Sequence, residues 1–335
     1  MRDPAYRRWP RRCVSASAAT LLAFLLCVLA PAWLLVVGAY DLLGSRRWAG
    51  VRCLCSLAVF AGLSVVGLLL ATGSWGLTLG RPLRRIQLDY RLQEWWAKTL
   101  HRALVWIYGI QLNELWADGP PSTDRPLLVF ERHTSVADTL LPIQLLYPAF
   151  RLRYVLKREL LWDPNLDVIG QRLPNAFVAR GAGAGEIERV AELARDLPPG
   201  NGVLIFPEGT RCTPRRRAQV LARLRERGDP RADYAAGLRH LLPPRRGGLL
   251  ALRASAPQAD VVIVGHSGYE RVRTLGDLWA GSLIGARVTV CAWIHPADSL
   301  PTEPEAWAAW FDARWAELDA WIEAQVRAKT LALAQ

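Results

Sequence analysis

The sequence predicts an α/β fold, a mixed sheet flanked by helices, preceded by an N-terminal transmembrane helical hairpin. Three observations carry this. Two long apolar stretches dominate about the first eighty positions, short apolar runs alternate with amphipathic segments from Leu127 onward, and chemistry-bearing residues follow the ends of two of those runs. In α/β layer folds, functional groups collect at strand ends.

The first apolar stretch runs from about residue 16 to 40 and the second from about 53 to 79. Each exceeds the ~20 residues that cross a bilayer core as a helix, and neither carries an ionisable side chain other than cysteine or Tyr40. The connection from Asp41 to Arg52 is short, so residues 1–85 read as a hairpin, with Pro31 expected to kink its first helix. A cleaved signal peptide competes for the first stretch, given its arginine-rich start and Ala30-Pro31-Ala32. Against it, the apolar run continues through Val37 and a second segment follows. Arg2, Arg7, Arg8, Arg11 and Arg12 precede the first stretch and Arg81, Arg84 and Arg85 follow the second, with only Arg46, Arg47 and Arg52 between. That bias puts both termini in the cytoplasm of an integral membrane protein, of bacterial inner-membrane type. A shallow re-entrant hairpin gives the same sidedness.

The net charge of +12 rests almost wholly on arginine and points to an anionic partner. With two membrane segments and no nucleic-acid-binding motif, a membrane surface is the expected partner rather than nucleic acid. The six cysteines argue against a disulfide framework, since Cys13, Cys27, Cys53 and Cys55 lie in or beside the membrane segments. Cys53-Leu54-Cys55 lacks a metal-site spacing, and no metal is implied. His101, His240, His266 and His295 are scattered and read as structural or surface histidines.

After the hairpin, Leu92, Trp95, Trp96, Leu100, Ala103, Leu104 and Ile107 recur at helical spacing, either at headgroup level or against the core. Strands are predicted at 127–130, 153–156, 176–179, 203–206, 261–264 and 288–294, and helices at 135–146 and 186–197. Trp307, Trp310, Phe311, Trp315, Leu318, Trp321, Ile322 and Val326 mark the apolar face of a C-terminal helix packed on the domain. The expected division is therefore a hairpin over 1–85, a catalytic domain over 86–300 and an amphipathic helix over 301–335. Gly181 to Gly185 lack the dinucleotide fingerprint spacing and read as a flexible connection.

His133 and Asp138 stand five positions apart just after the first strand. A histidine with a carboxylate beside it can take a proton from an alcohol, because the carboxylate fixes the tautomer and stabilises the imidazolium. Ser135 with Asp138 also reads as a capping box opening the following helix. Phe206-Pro207-Glu208-Gly209-Thr210-Arg211 follows the strand at 203–206 and offers an arginine fork and backbone N–H groups to an anion. Between these motifs lie Lys157, Pro164, Gly170 and Phe177-Val178-Ala179-Arg180. In this order the blocks resemble the glycerolipid acyltransferases of the lysophosphatidate acyltransferase (PlsC-like) family, over roughly residues 88 to 300.

The resemblance implies a membrane-bound O-acyltransferase that moves an acyl group from a thioester to the free hydroxyl of a lysophospholipid, foremost 1-acyl-sn-glycerol-3-phosphate. His133 and Asp138 would be catalytic. Arg180, Glu208, Gly209, Thr210, Arg211 and Lys157 would form the acceptor site, with Glu208 bracing the loop. No cofactor is implied beyond acyl-CoA or acyl carrier protein as co-substrate, and membrane phospholipids are the remaining partners. The arginines between Arg211 and Arg231 read equally as a face beside anionic headgroups or as a dock for the donor.

The chain departs from the family in two places. Arg132 stands where the family has Asn before the histidine, and Val261 to Val264 run into Gly265-His266-Ser267-Gly268-Tyr269-Glu270 instead of the usual proline. Ser267 fails the hydrolase elbow at the last position. The departures leave open the same chemistry on another lysophospholipid or on glycerol-3-phosphate. A non-catalytic lipid-binding protein on this scaffold is the alternative from another class.

Overall fold

The computed structural model describes residues 4–179 and 183–334. Helix α1 (Ala5–Val28) and α2 (Ala30–Leu43) divide the first apolar stretch, and α3 (Ala49–Leu77) covers the second. The break lies at Leu29, with Pro31 in the first turn of α2, where its missing N–H costs nothing. Pro31 therefore opens a new helix rather than kinking a continuous one. Among the described residues, α1 and α3 are long and apolar enough to cross a membrane, whereas α2 has only 14 residues.

The hairpin runs along the rest of the protein instead of standing away from it. Near its turn, Arg46 donates to the Trp279 carbonyl at 2.7 Å, Arg52 donates to the Ile107 carbonyl, and Cys53 joins the main core. Near the far end of α3, Arg172 donates to the Ala71 carbonyl at 2.8 Å. Arg11 of α1 holds both carboxylate oxygens of Asp167, at 2.9 and 3.1 Å. Large apolar side chains remain exposed on the outer side, including Phe24, Leu35, Val36 and Leu69.

Helix α4 (Pro82–Tyr108) follows, with Leu92, Leu100 and Ile107 buried, so the predicted apolar face is turned to the core. The chain then enters β1 (Gln111–Trp116), β2 (Leu127–Glu131), α5 (Leu141–Leu146), β3 (Arg151–Lys157), β4 (Ala176–Val178), α6 (Ala184–Ala194) and β5 (Asn201–Ile205). After β5 come α7 (Pro214–Glu226), α8 (Ala232–Gly237), α9 (Arg246–Ser255), β6 (Asp260–Ser267), α10 (Leu275–Trp279), β7 (Arg287–His295) and α11 (Pro304–Ala334).

The seven strands form one mixed sheet in the order β1-β7-β6-β2-β5-β3-β4. Pairing is parallel throughout except between β6 and β7. All of β2 and β6 is buried, which is why both read as continuous apolar runs rather than alternating ones. Leu127 and Val129 face one core with α3, α4 and α5, while Leu128 and Phe130 face a second core with α6, α9 and α11. On that second side Trp307, Phe311 and Trp315 of α11 are almost fully buried. The sheet therefore separates the apolar N-terminal helices from α11.

This topology sends β2, β3, β4, β5 and β6 in one direction, so their C-terminal ends share one edge. His133, Lys157, the Glu208–Arg211 turn and His266 all fall on that edge.

Candidate active site

Beyond β2 the chain does not enter a helix at Ser135. Residues 132–137 are irregular, a 3₁₀ turn spans Asp138–Leu140, and α5 begins only at Leu141. The reason is the Asp138 side chain. Its Oδ2 accepts the backbone N–H groups of Thr134 and Ser135, each at 2.7 Å, which curls the loop around the carboxylate. Ser135 Oγ accepts the Ala137 N–H at 3.1 Å and donates to the Val272 carbonyl at 2.5 Å. Half of the expected capping box exists, as Ser135 N–H to Asp138; the other half is replaced by these two bonds.

Asp138 Oδ1 lies 3.0 Å from His133 Nδ1. An ionised carboxylate only accepts, so Nδ1 carries the hydrogen and Nε2 presents its lone pair. Burial opposes the charge on Asp138, but the hydrogen bonds of His133 and His266 hold its carboxyl well below the usual range. The imidazole of His133 is nearly buried and packs against Phe206, with ring centroids 4.5 Å apart. The pair can therefore hold a proton taken from a hydroxyl at Nε2. Glu131, the last residue of β2, is also fully buried; burial and the Asp138 charge push its carboxyl far up.

The turn after β5 supports the His133 loop from below. Glu208 Oε1 accepts the His133 N–H at 3.0 Å, and Oε2 accepts the Leu242 N–H at 2.9 Å. Burial pushes the Glu208 carboxyl up to about 8. The brace extends further. Asp319 of α11 accepts the N–H groups of Arg239, His240 and Leu241, and the Trp315 indole donates to the Leu242 carbonyl at 3.0 Å. Gly209 has φ +65, in the left-handed region, and a Cβ there would lie 2.6 Å from Arg245 Nε. Cys212 N–H donates to the His133 carbonyl at 2.9 Å, which closes the turn against the loop.

Of the predicted site residues, His133, Asp138 and Glu208 meet directly, and Gly209 and Thr210 lie in the same turn. Arg211 donates one guanidinium nitrogen to the Arg273 carbonyl, so part of its donor fork is committed to the protein. Lys157 ends β3 on the same edge of the sheet. Arg180 lies outside the described residues.

Three neighbours of the His133–Asp138 pair take their meaning only from the fold. Arg132 is almost fully buried, with Glu270 Oε1 at 2.7 Å. His266, set aside as scattered, lies with its Nε2 3.4 Å from Asp138 Oδ2. Beside the loop opens a cleft of about 590 Å³ that Arg132, Arg217, Arg225, Arg239 and Arg273 line against a single carboxylate, Glu270. The cleft touches the His133 loop at Thr134 and the end of the Glu208 turn at Cys212. The arginine run after Arg211 was a visible signal for the cleft, whereas the separation of Asp138 and His266 by 128 positions in the chain hid that contact.

The segment that carries the His133 loop is an acyltransferase domain. Residues 117–266 match the family model described as Acyltransferase, which places this segment in that family and the His133 loop within it. Among solved structures the chain is similar to the 1-acyl-sn-glycerophosphate (LPA) acyltransferase PlsC from Thermotoga maritima. The two are 16% identical, the match covers 76% of this chain and 93% of that one, and the TM-score is 0.47. No curated protein matches the chain.

Proposed function

We propose that this acyltransferase moves an acyl group from a thioester to the free hydroxyl of a lysophospholipid, with 1-acyl-sn-glycerol-3-phosphate as acceptor and phosphatidic acid as product. The observation that carries the reading is the 3.0 Å contact of His133 Nδ1 with Asp138, which leaves Nε2 as the base. The acceptor hydroxyl attacks the thioester carbonyl as His133 removes its proton. The carbon–oxygen ester bond forms, the carbon–sulfur bond breaks, and the proton on Nε2 passes to the leaving thiolate. Arg211, Arg180 and Lys157 hold the acceptor phosphate, so that binding positions the hydroxyl. The arginine-lined cleft beside the loop is suited to the phosphates of the donor.

The hairpin anchors this site at a membrane. Both ends of α3 and the start of α1 are tied to the same domain, so the apolar helices lie along it. A fully crossing hairpin would put the Arg46 turn and Arg11 roughly 30 Å apart, across a hydrocarbon core. Contacts at both ends support the shallow, one-leaflet arrangement, with the exposed apolar side of α1 to α3 in lipid.

Purified, detergent-solubilised protein is assayed with radiolabelled acyl-CoA or acyl carrier protein against lysophosphatidate, other lysophospholipids and glycerol-3-phosphate. Labelled phosphatidate from lysophosphatidate is expected. Product from a different acceptor alone would overturn the assignment of acceptor, and no product from any pair would return the non-catalytic reading.

A further inference from the structure

Asp138 is held by more than His133. His266, fully buried at the end of β6, brings Nε2 to 3.4 Å from Asp138 Oδ2 and 3.3 Å from the Arg132 carbonyl. Both atoms facing Nε2 are acceptors, so Nε2 carries the hydrogen. Nδ1 has no hydrogen-bond partner among the described residues, so Nε2 makes the ring's polar contacts. The two carboxylate oxygens of Asp138 thus face two different imidazoles.

The loop that carries these groups is clamped by the segment after β6. Arg132 Nη1 reaches both the His266 carbonyl and Glu270 Oε1, and Nη2 reaches the His240 carbonyl at 3.4 Å. Glu270 Oε2 accepts the Gly268 N–H at 2.7 Å. Burial opposes ionisation of Glu270, but the charge and hydrogen bond of Arg132 bring its carboxyl down to about 2. The two sequence departures, Arg132 before the histidine and His266 to Glu270 after β6, are therefore partners in space. Each alone would leave one buried charge without its opposite; together the guanidinium and the carboxylate pair.

We propose that His266 and the Arg132–Glu270 pair are positioning residues for acyl transfer: His266 holds the second oxygen of Asp138, and the ion pair fixes the loop that presents His133. This rests on His133 acting as the base. A hydrogen-bond donor on Oδ2 draws charge from Asp138 and tempers its pull on the His133 proton. The ionisable groups around Asp138 are His133 on its own loop, Glu131 from β2, Glu208 from the turn after β5, and His266 and Tyr269 from β6 and beyond.

The test is a titration of the His133 ring by carbon-13 NMR in the full-length protein, whose five histidines make assignment practicable. His266→Phe removes the donor, and His266→Gln restores one near Nε2. The proposal predicts that Phe moves the His133 titration upward by about half a unit or more. It also predicts a kcat drop of about tenfold or more at unchanged KM values, with Gln recovering most of both. An unmoved titration, or loss of activity that Gln does not relieve, would overturn it. For the ion pair, Arg132→Asn and Glu270→Gln are each expected to lower kcat, and the double variant to be no worse than the weaker single one. Effects that simply multiply would overturn the pairing. The NMR reading is independent of turnover: a moved titration in a protein that transfers no acyl group keeps the coupling and refutes the proposed reaction.

Discussion

Asp138→Asn changes one atom and tests the tautomer argument on which the mechanism turns. Oδ2 accepts two backbone N–H groups at 2.7 Å, from Thr134 and Ser135, while Oδ1 faces His133 Nδ1 at 3.0 Å. The amide of Asn has one oxygen and one NH₂ to offer these positions. Turning NH₂ toward the backbone would leave two buried N–H groups facing a donor, each costing about 1–3 kcal/mol. The oxygen therefore stays on the backbone, and NH₂ faces His133. Nδ1 must then accept, which moves the ring hydrogen to Nε2 and removes the base. A wrong-tautomer substitution of this kind lowers kcat by about 10⁴-fold in a hydrolase triad, or about 5 kcal/mol at about 1.4 kcal/mol per decade. We expect a loss of about 10³- to 10⁴-fold in steady-state acyl transfer. Because the backbone bonds survive, the thermal midpoint should stay within a few degrees of the parent. A variant that keeps its rate within tenfold would refute the reasoning.

Three further outcomes are expected. Glu208→Ala orphans the buried N–H groups of His133 and Leu242, a loss of about 2–6 kcal/mol in denaturant unfolding, while Glu208→Gln keeps one acceptor and loses about half as much. The folded protein holds the Glu208 proton up to about pH 8 and the unfolded chain releases it near 4.5, so the native state binds more protons between these values. Stability attributable to this group therefore falls as pH rises through that window, and midpoints measured against pH should decline more gently in Glu208→Gln. Gly209→Ala forces a Cβ into the left-handed region against Arg245, for about 1–2 kcal/mol of backbone strain and a lower thermal midpoint. Replacing Arg225 and Arg273 together by Gln should raise the KM for the acyl donor several-fold, leave that for the acceptor unchanged, and weaken the salt dependence of donor binding.

How much of this could be read from the sequence depends on where each residue's partners lie. Strands β2 and β6 are buried on both faces and announced themselves as unbroken Leu, Val and Ile runs. β1 did not, because it is an edge strand with four of its six residues exposed, so its apolar positions follow no pattern. The helix expected from Ser135 failed for a local reason: Asp138 spends its carboxylate on the loop's own N–H groups, and α5 starts three residues after it. The motif pairs His133–Asp138 and Glu208–Arg211 were legible because their residues are neighbours in the chain. His266 and Glu270 were not, since their partners are brought to them only by the β2–β6 pairing. The Arg132 departure was visible, yet its meaning required the second departure beside it in space. Apolar length alone also left the hairpin ambiguous, and its polar contacts with the domain, made by residues distant in sequence, support the one-leaflet arrangement proposed above.

The central claim is that His133 is the base for acyl transfer. It is tested most directly by the rate of labelled phosphatidate formation from lysophosphatidate and an acyl thioester, measured for the parent and for His133→Ala at matched folding by circular dichroism. The account predicts turnover in the parent and a loss of at least about 10³-fold in the variant. Turnover in His133→Ala near the parent rate would contradict it.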